Sequence, residues 1–179
     1  MLKIATLNLK TYCFITSVLT LVAFSVPTLA RDYKVEAIIF KQLNGGAATE
    51  SHTYKPPASV ASPSETWLVE PSMLLEELAK LKESDNYEVV KFYAWGQESL
   101  PLSQSASMSL YEPGMQGWIK IYANSLLFVN IDLDLEGYRL QEKRRIKLDE
   151  KHFFDHPKFG VLLQVSRLED ETESNLVDQ

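Results

Sequence analysis

The sequence predicts an α+β fold: a mainly antiparallel sheet with one main helix, built as β-α-β followed by a β-meander. Three observations predict it. Tyr33 to Phe40 is β-rich and begins in two-residue alternation. Met73 to Lys82 repeats its leucines at helical spacing. Beyond Gly96 come further β-rich segments separated by turn dipeptides, so successive strands are joined closely enough to pair antiparallel.

In the first strand Tyr33, Val35, Ala37 and Ile39 share one face, and the strand is expected to open the domain at its edge. Lys41 to Glu65 then holds Gly-Gly, Pro-Pro, Ala, Ser and Thr with almost no large aliphatic residue. It is expected to be a mobile loop, clamped at its end by Trp67. Pro71 and Ser72 open the helix, where Leu74, Leu75, Leu78 and Leu81 form the apolar stripe and Glu76, Glu77, Lys80 and Lys82 lie outside it. Asn86 to Trp95 reads as the second strand, ended by Gly96 and followed by a polar loop to Ser105. Glu112-Pro113-Gly114 is a turn before a strand over Trp118 to Ala123. Leu127, Val129, Ile131, Leu133 and Leu135 then alternate with Phe128, Asn130, Asp132 and Asp134, which predicts one dry face and one wet one. Glu136-Gly137 makes a hairpin turn. Tyr138 to Leu148 mixes helix-favouring Gln, Glu, Lys and Arg with a two-residue apolar period, and its place between two turn signals favours strand. Asp149-Glu150 closes another turn, and Phe159 to Leu168 is the last, mostly buried strand.

The chain has 179 residues, 18 Lys+Arg against 24 Asp+Glu, three His and one Cys. Residues 1–30 contain Lys3 and Lys10, an apolar stretch from Cys13 to Val26, then Pro27-Thr28-Leu29-Ala30, and no acid. That is the layout of a signal peptide cut after Ala30. An uncleaved anchor is the alternative, although the apolar stretch is short of the ~20 residues a spanning helix needs. Removal of the 30 residues with their two lysines would leave 149 residues with 16 bases and 24 acids, and no thiol. A thiol-free chain excludes disulfides, Cys-ligated zinc and Cys nucleophiles. The expected product is a single domain over 31–168, outside the cytoplasm, with no membrane anchor after cleavage. Residues 169–179 hold five acids and no base and read as a disordered tail. The acidic balance disfavours nucleic acid as a partner.

Several groups have chemistry worth weighing. Lys143, Arg144, Arg145 and Lys147 form the one basic run, able to meet an anionic partner, and Arg forks suit carboxylates; alternatively Arg144 sits on the apolar period of its strand while Lys143, Arg145 and Lys147 face water. Trp95 and Trp118 are candidates for stacking on sugar rings, or for the core. Asp132 and Asp134, two apart on the wet face, are spaced for acid-base work on a glycosidic bond, but exposure would leave their pKa values unraised. His152-Phe-Phe-Asp155-His156-Pro157-Lys-Phe-Gly160 reads as a structural corner fixed by Asp155, because the two histidines lack a third ligand for zinc. There is no Gly-x-Ser-x-Gly, His-Glu-x-x-His or phosphate loop, so neither a catalytic residue nor a metal or other cofactor is assigned.

Arg144-Arg145 followed by His152 to Val161 resembles the closing signature of the CsiV family, periplasmic peptidoglycan-binding proteins of Gram-negative bacteria concerned with cell-shape integrity. Tyr33 to Phe40, Tyr87-Glu-Val-Val, Trp95-Gly-Gln97 and Leu126 to Leu135 resemble other segments of that family in the same order. Phe153 stands where the family pattern has Tyr, Ile146 where it has Met, and the spacer is short. The resemblance implies a non-enzymatic periplasmic role in wall assembly and cell shape. It would bind peptidoglycan and support a class A penicillin-binding synthase activated by an outer-membrane lipoprotein. On that reading Arg144, Arg145, Trp95 and Trp118 contact the ligand. The alternatives are a protein adaptor of the envelope and a wall hydrolase using Asp132 and Asp134.

Overall fold

The computed structural model describes residues 32–46 and 64–168, so the expected signal segment, most of the expected loop and the acidic tail lie outside the described residues. Alternation in Tyr33–Gln42 (β1) sorts its side chains between two cores. Tyr33, Val35, Ala37 and Ile39 enter a large cluster, whereas Ile38 and Phe40 enter a smaller one on the opposite face. Both faces of β1 are therefore covered. It lies at the centre of its sheet rather than at the edge of the domain, paired antiparallel with Tyr87–Gln97 (β3) and with Phe159–Arg167 (β9). Thr66–Leu68 (β2) and Lys151–His156 (β8) complete this sheet A, in the order β2-β3-β1-β9-β8. Ser107–Glu112 (β4), Met115–Ala123 (β5), Leu127–Leu135 (β6) and Tyr138–Arg145 (β7) form sheet B as a simple meander.

The two sheets stack through the larger cluster, to which sheet A gives Val35, Trp95, Phe154 and Leu163 and sheet B gives Ile119, Ile121, Ile131 and Leu133. Leu75–Glu83 (α1) lies against the other face of sheet A through Leu74, Leu78 and Leu81. The α+β expectation is thus overturned. Strands take 59% of the described residues and helix 8%, in two antiparallel sheets with one short helix on the outside. Three strands escaped the sequence reading, β2, β4 and β8, because each is short and offers at most two or three alternating apolar positions. The expected turns do form. Leu135 pairs with Tyr138 across Glu136-Gly137, both at positive φ (55° and 88°), as a two-residue hairpin with right-handed strand twist requires.

Helix α1 has no capping side chain of its own. The amides of the turn leading into it, ending at the N-cap residue Leu74, are taken by Glu36, which is fully buried on the outer face of β1. Its carboxylate accepts from the N–H groups of Ser72 (2.7 Å), Met73 (3.0 and 3.1 Å) and Leu74 (2.9 Å). Lys34 Nζ stands 3.3 Å away and also donates to Ser72 Oγ at 2.6 Å. At the helix's other flank Glu77 accepts from Lys151 Nζ, tying α1 to β8. Between the sheets, the Trp95 indole N–H donates to Gln97 Oε1 (3.0 Å), and Gln97 Nε2 donates to the Ile121 carbonyl (2.9 Å) and to Ser105 Oγ (3.3 Å). This buried polar chain satisfies the stretch of β5 that β4 leaves unpaired.

Replacing Glu36 by Ala orphans three amides. The expected loss is about 2–3 kcal/mol in urea unfolding, with Glu36→Gln losing less because one acceptor oxygen remains. The Lys151 hydrogen bond holds the Glu77 carboxyl below the ordinary carboxylate value, against an opposing push from burial. A lowered folded pKa stabilises above the unfolded value and is lost as pH falls through the folded one. The urea midpoints of the parent and Glu77→Gln should differ fully at pH 7 and converge as pH drops below 4.5.

Candidate functional site

Sheet A is covered on both faces, by sheet B and by α1, whereas no described helix covers the outer face of sheet B. The same alternation that sends Ile119, Ile121, Val129, Ile131 and Leu140 inward sends a grid of polar and aromatic side chains outward. Its rungs follow from the register. Ser109, Trp118, Asp132 and Gln141 are one; Ser107, Lys120, Asn130 and Lys143 the next; Tyr122, Phe128 and Arg145 the third. Tyr122 and Phe128 stack at 5.4 Å between centroids, and Lys143 Nζ lies 5.7 Å over the Tyr122 ring. Lys143 and Arg145 are exposed, Phe128 and Asn130 half-exposed. Among the described residues the Arg145 side chain has neither an ion pair nor a hydrogen bond, and Lys143 has only the ring contact.

The four ligand-contact candidates divide. Arg145 and Trp118 share this outer face, with Trp118 buried at 9% exposure. Arg144, one residue on, points the other way. It pairs with Glu142 (3.2 Å), donates to the Phe153 carbonyl (2.5 Å) and lays its guanidinium 3.9 Å over the Phe154 ring, closing the margin between β7 and β8. Trp95 is fully buried between the sheets, so its indole is closed to a sugar ring. Trp67, at 37% exposure, is the exposed indole among the described residues and lies against Gly96 on sheet A.

Asp132 and Asp134 are buried, at 4% and 5%, where the alternation predicted exposure. Their donors explain it. Arg139 grips Asp132 with two bonds, Nε to Oδ1 (2.8 Å) and Nη2 to Oδ2 (2.7 Å), while Gln141 donates at 3.1 Å. The hydrogen bond that Arg139 donates to Asp132 in turn raises the Arg139 pKa. Asp134 accepts from the Gly137 amide at 3.1 Å and so fastens the hairpin turn. Both oxygens of Asp132 are occupied by donors, an arrangement of an ion pair holding β6 to β7.

The corner is a two-residue hairpin, Pro157-Lys158, between His156 and Phe159. Its chemistry differs from the expected one. Asp155 is exposed and accepts from the Gln42 side chain (2.6 Å) rather than from backbone amides; buried His156 secures the turn by accepting from the Lys158 amide at Nδ1 (3.1 Å). His152 Nε2 lies 3.2 Å from the Lys147 nitrogen and 3.0 Å from its oxygen, holding the β7–β8 connection. A Cβ at Gly160 would strike Phe153 (2.7 Å) and Phe40 (2.8 Å), which stack there. Among the described residues no cluster of His, Cys, Asp and Glu could hold a metal.

Two concavities among the described residues lie elsewhere. One, of about 290 Å³ at the hairpin end of sheet B, is lined by Glu112, Asp134 and Glu136 and is unsuited to an anion. The other, of about 420 Å³ between α1 and sheet A, is apolar, with Phe40, Leu81, Tyr87, Phe153 and Leu162.

Strand β7 therefore presents Lys143 and Arg145 to one side and stitches the sandwich with Arg144 on the other, ahead of the β8–β9 hairpin. Residues 135–168 match the family model described as "Peptidoglycan-binding protein, CsiV". The CsiV match is partial, running from the last residue of β6 through β9, and takes in both the outward cations and the corner. No curated protein and no solved structure matches the chain.

Arg144→Ala should lower stability by about 1–2 kcal/mol through the lost ring contact and carbonyl bond. Arg145→Ala should stay within about 0.5 kcal/mol of the parent. Chemical denaturation of the two variants side by side tests which arginine is structural.

Proposed function

We propose that this protein binds peptidoglycan in the periplasm without making or breaking covalent bonds, and that the outer face of sheet B is where it does so. The observation behind this reading is the pair Lys143 and Arg145, projecting from the outer side of edge strand β7 beside Phe128 and Asn130, with no acidic partner among the described residues. That strand lies inside the segment similar to the CsiV peptidoglycan-binding family. The chemistry is complementary. A carboxylate of the wall's peptides suits a guanidinium fork, and sugar rings suit the half-exposed Phe128 beside it. The export signal read in residues 1–30 supports a location outside the cytoplasm. In this role the protein supports wall assembly and cell shape, acting beside a class A penicillin-binding synthase and its outer-membrane lipoprotein activator. Bond-breaking by Asp132 is disfavoured by its two bonds to Arg139.

Purified protein should pellet with sacculi, less so at high salt, and release no soluble muropeptides. Lys143→Glu combined with Arg145→Glu should weaken pelleting by roughly tenfold or more while the protein stays folded. Release of muropeptides would overturn the reading in favour of a hydrolase. Absence of pelleting, with capture of an envelope protein by crosslinking, would overturn it in favour of an adaptor.

A further inference from the structure

The middle rung of the outer face holds a group that the proposed role has not used. Lys120 projects outward from β5 and is 3% exposed, its stem between Trp118 and Tyr122 along the strand and its register neighbours Ser107 and Asn130 to either side. None of these four is acidic. The nearest carboxylate on the face, Asp132, is committed to Arg139 and Gln141. Among the described residues the Lys120 ammonium has neither a counter-ion nor a hydrogen-bond acceptor, and burial alone pulls its pKa below the ordinary lysine value. An ammonium buried without a counter-ion is unfavourable, and a Met at this position would avoid that.

The surroundings resemble half of an ion-pair site. Lys143 ends the same rung, its backbone roughly 10 Å away by strand spacing, with the Asn130 amide between them. Arg145 stands on the next rung. The face opens outward at half-exposed Asn130 and exposed Lys143. An arriving carboxylate would find two ammonium groups and an amide donor in a partly dry setting, where a charge-assisted hydrogen bond is stronger than in water. We propose that Lys120 is the anion-reading group of this face and takes a carboxylate of the wall, either the C-terminal carboxylate of a stem peptide or the lactyl carboxylate of a peptide-free muramic residue. The proposal rests on the peptidoglycan reading above.

Sacculi digested with an amidase supply both probes, free stem tetrapeptide and peptide-free glycan strands, and chitotetraose serves as the neutral control. Titration calorimetry on the parent, Lys120→Met and Lys120→Gln should show at least roughly tenfold weaker binding by both variants to one carboxylate probe. Chitotetraose binding should not change, and the melting temperature of Lys120→Met should equal or exceed the parent's. Loss on the tetrapeptide identifies the stem peptide as the source, and loss on the glycan strands identifies the lactyl group. Variants that bind both probes as the parent does overturn the role of Lys120. A parent that pellets with sacculi yet binds neither carboxylate probe also overturns it and leaves wall binding intact. A parent that neither pellets nor binds either probe overturns both readings.

Discussion

A carboxylate buried at the centre of a sheet must find donors, and Glu36 finds them in the amides of the turn that leads into α1. Each partner solves the other's problem. The helix lacks a capping side chain of its own, and the strand carries an acid where its neighbours Ile38 and Phe40 are apolar. With that contact made, the leucines of α1 cover Ile38 and Phe40, sheet A is enclosed on both sides, and β1 can sit in the middle of its sheet. Sheet B, left without a described helix on its outer side, becomes the face on which polar and aromatic groups are displayed.

Much of this was legible in the residues, and the failures have physical causes. Alternation in β1 and β6 sorted residues onto the correct faces, because a two-residue period has only two phases. The fold class went wrong because one strongly periodic helix outweighed β2, β4 and β8, whose signals are short. Asp132 and Asp134 were assigned to the correct face and the wrong environment. Local pattern cannot disclose that Arg139, seven residues on, folds back across the hairpin to cover Asp132. Arg144 and Arg145 were paired as ligand contacts, yet strand geometry turns them to opposite sides, as the apolar period of the strand allowed, and gives one to packing and the other to solvent. Lys120 drew no notice in sequence because a lysine between isoleucines on an amphipathic strand reads as ordinary solvation; only its burial sets it apart.

The charge pattern follows from the same geometry. An acidic chain keeps several carboxylates in pairs, Asp132 with Arg139, Glu136 with Lys41, Glu112 with Lys91 and Glu77 with Lys151. Lys120, Lys143 and Arg145 are left together on one side of sheet B without such partners among the described residues. A local field of one sign can thus coexist with the opposite net charge of the whole chain, and at physiological salt it is the local field that a ligand meets within about 8 Å of the surface.

The strand order of sheet A also governs when the molecule can close. Sheet B is a run of neighbouring hairpins and needs only contiguous chain, whereas β1, the first of the described strands to be synthesised, pairs with β9, the last of them. A ribosome-tethered or partly threaded chain therefore holds its central strand waiting, with one edge unpaired, until the final segment emerges. Truncation near the C-terminus would leave that waiting strand permanently open, prone to recruit a stranger's backbone in place of its own last strand.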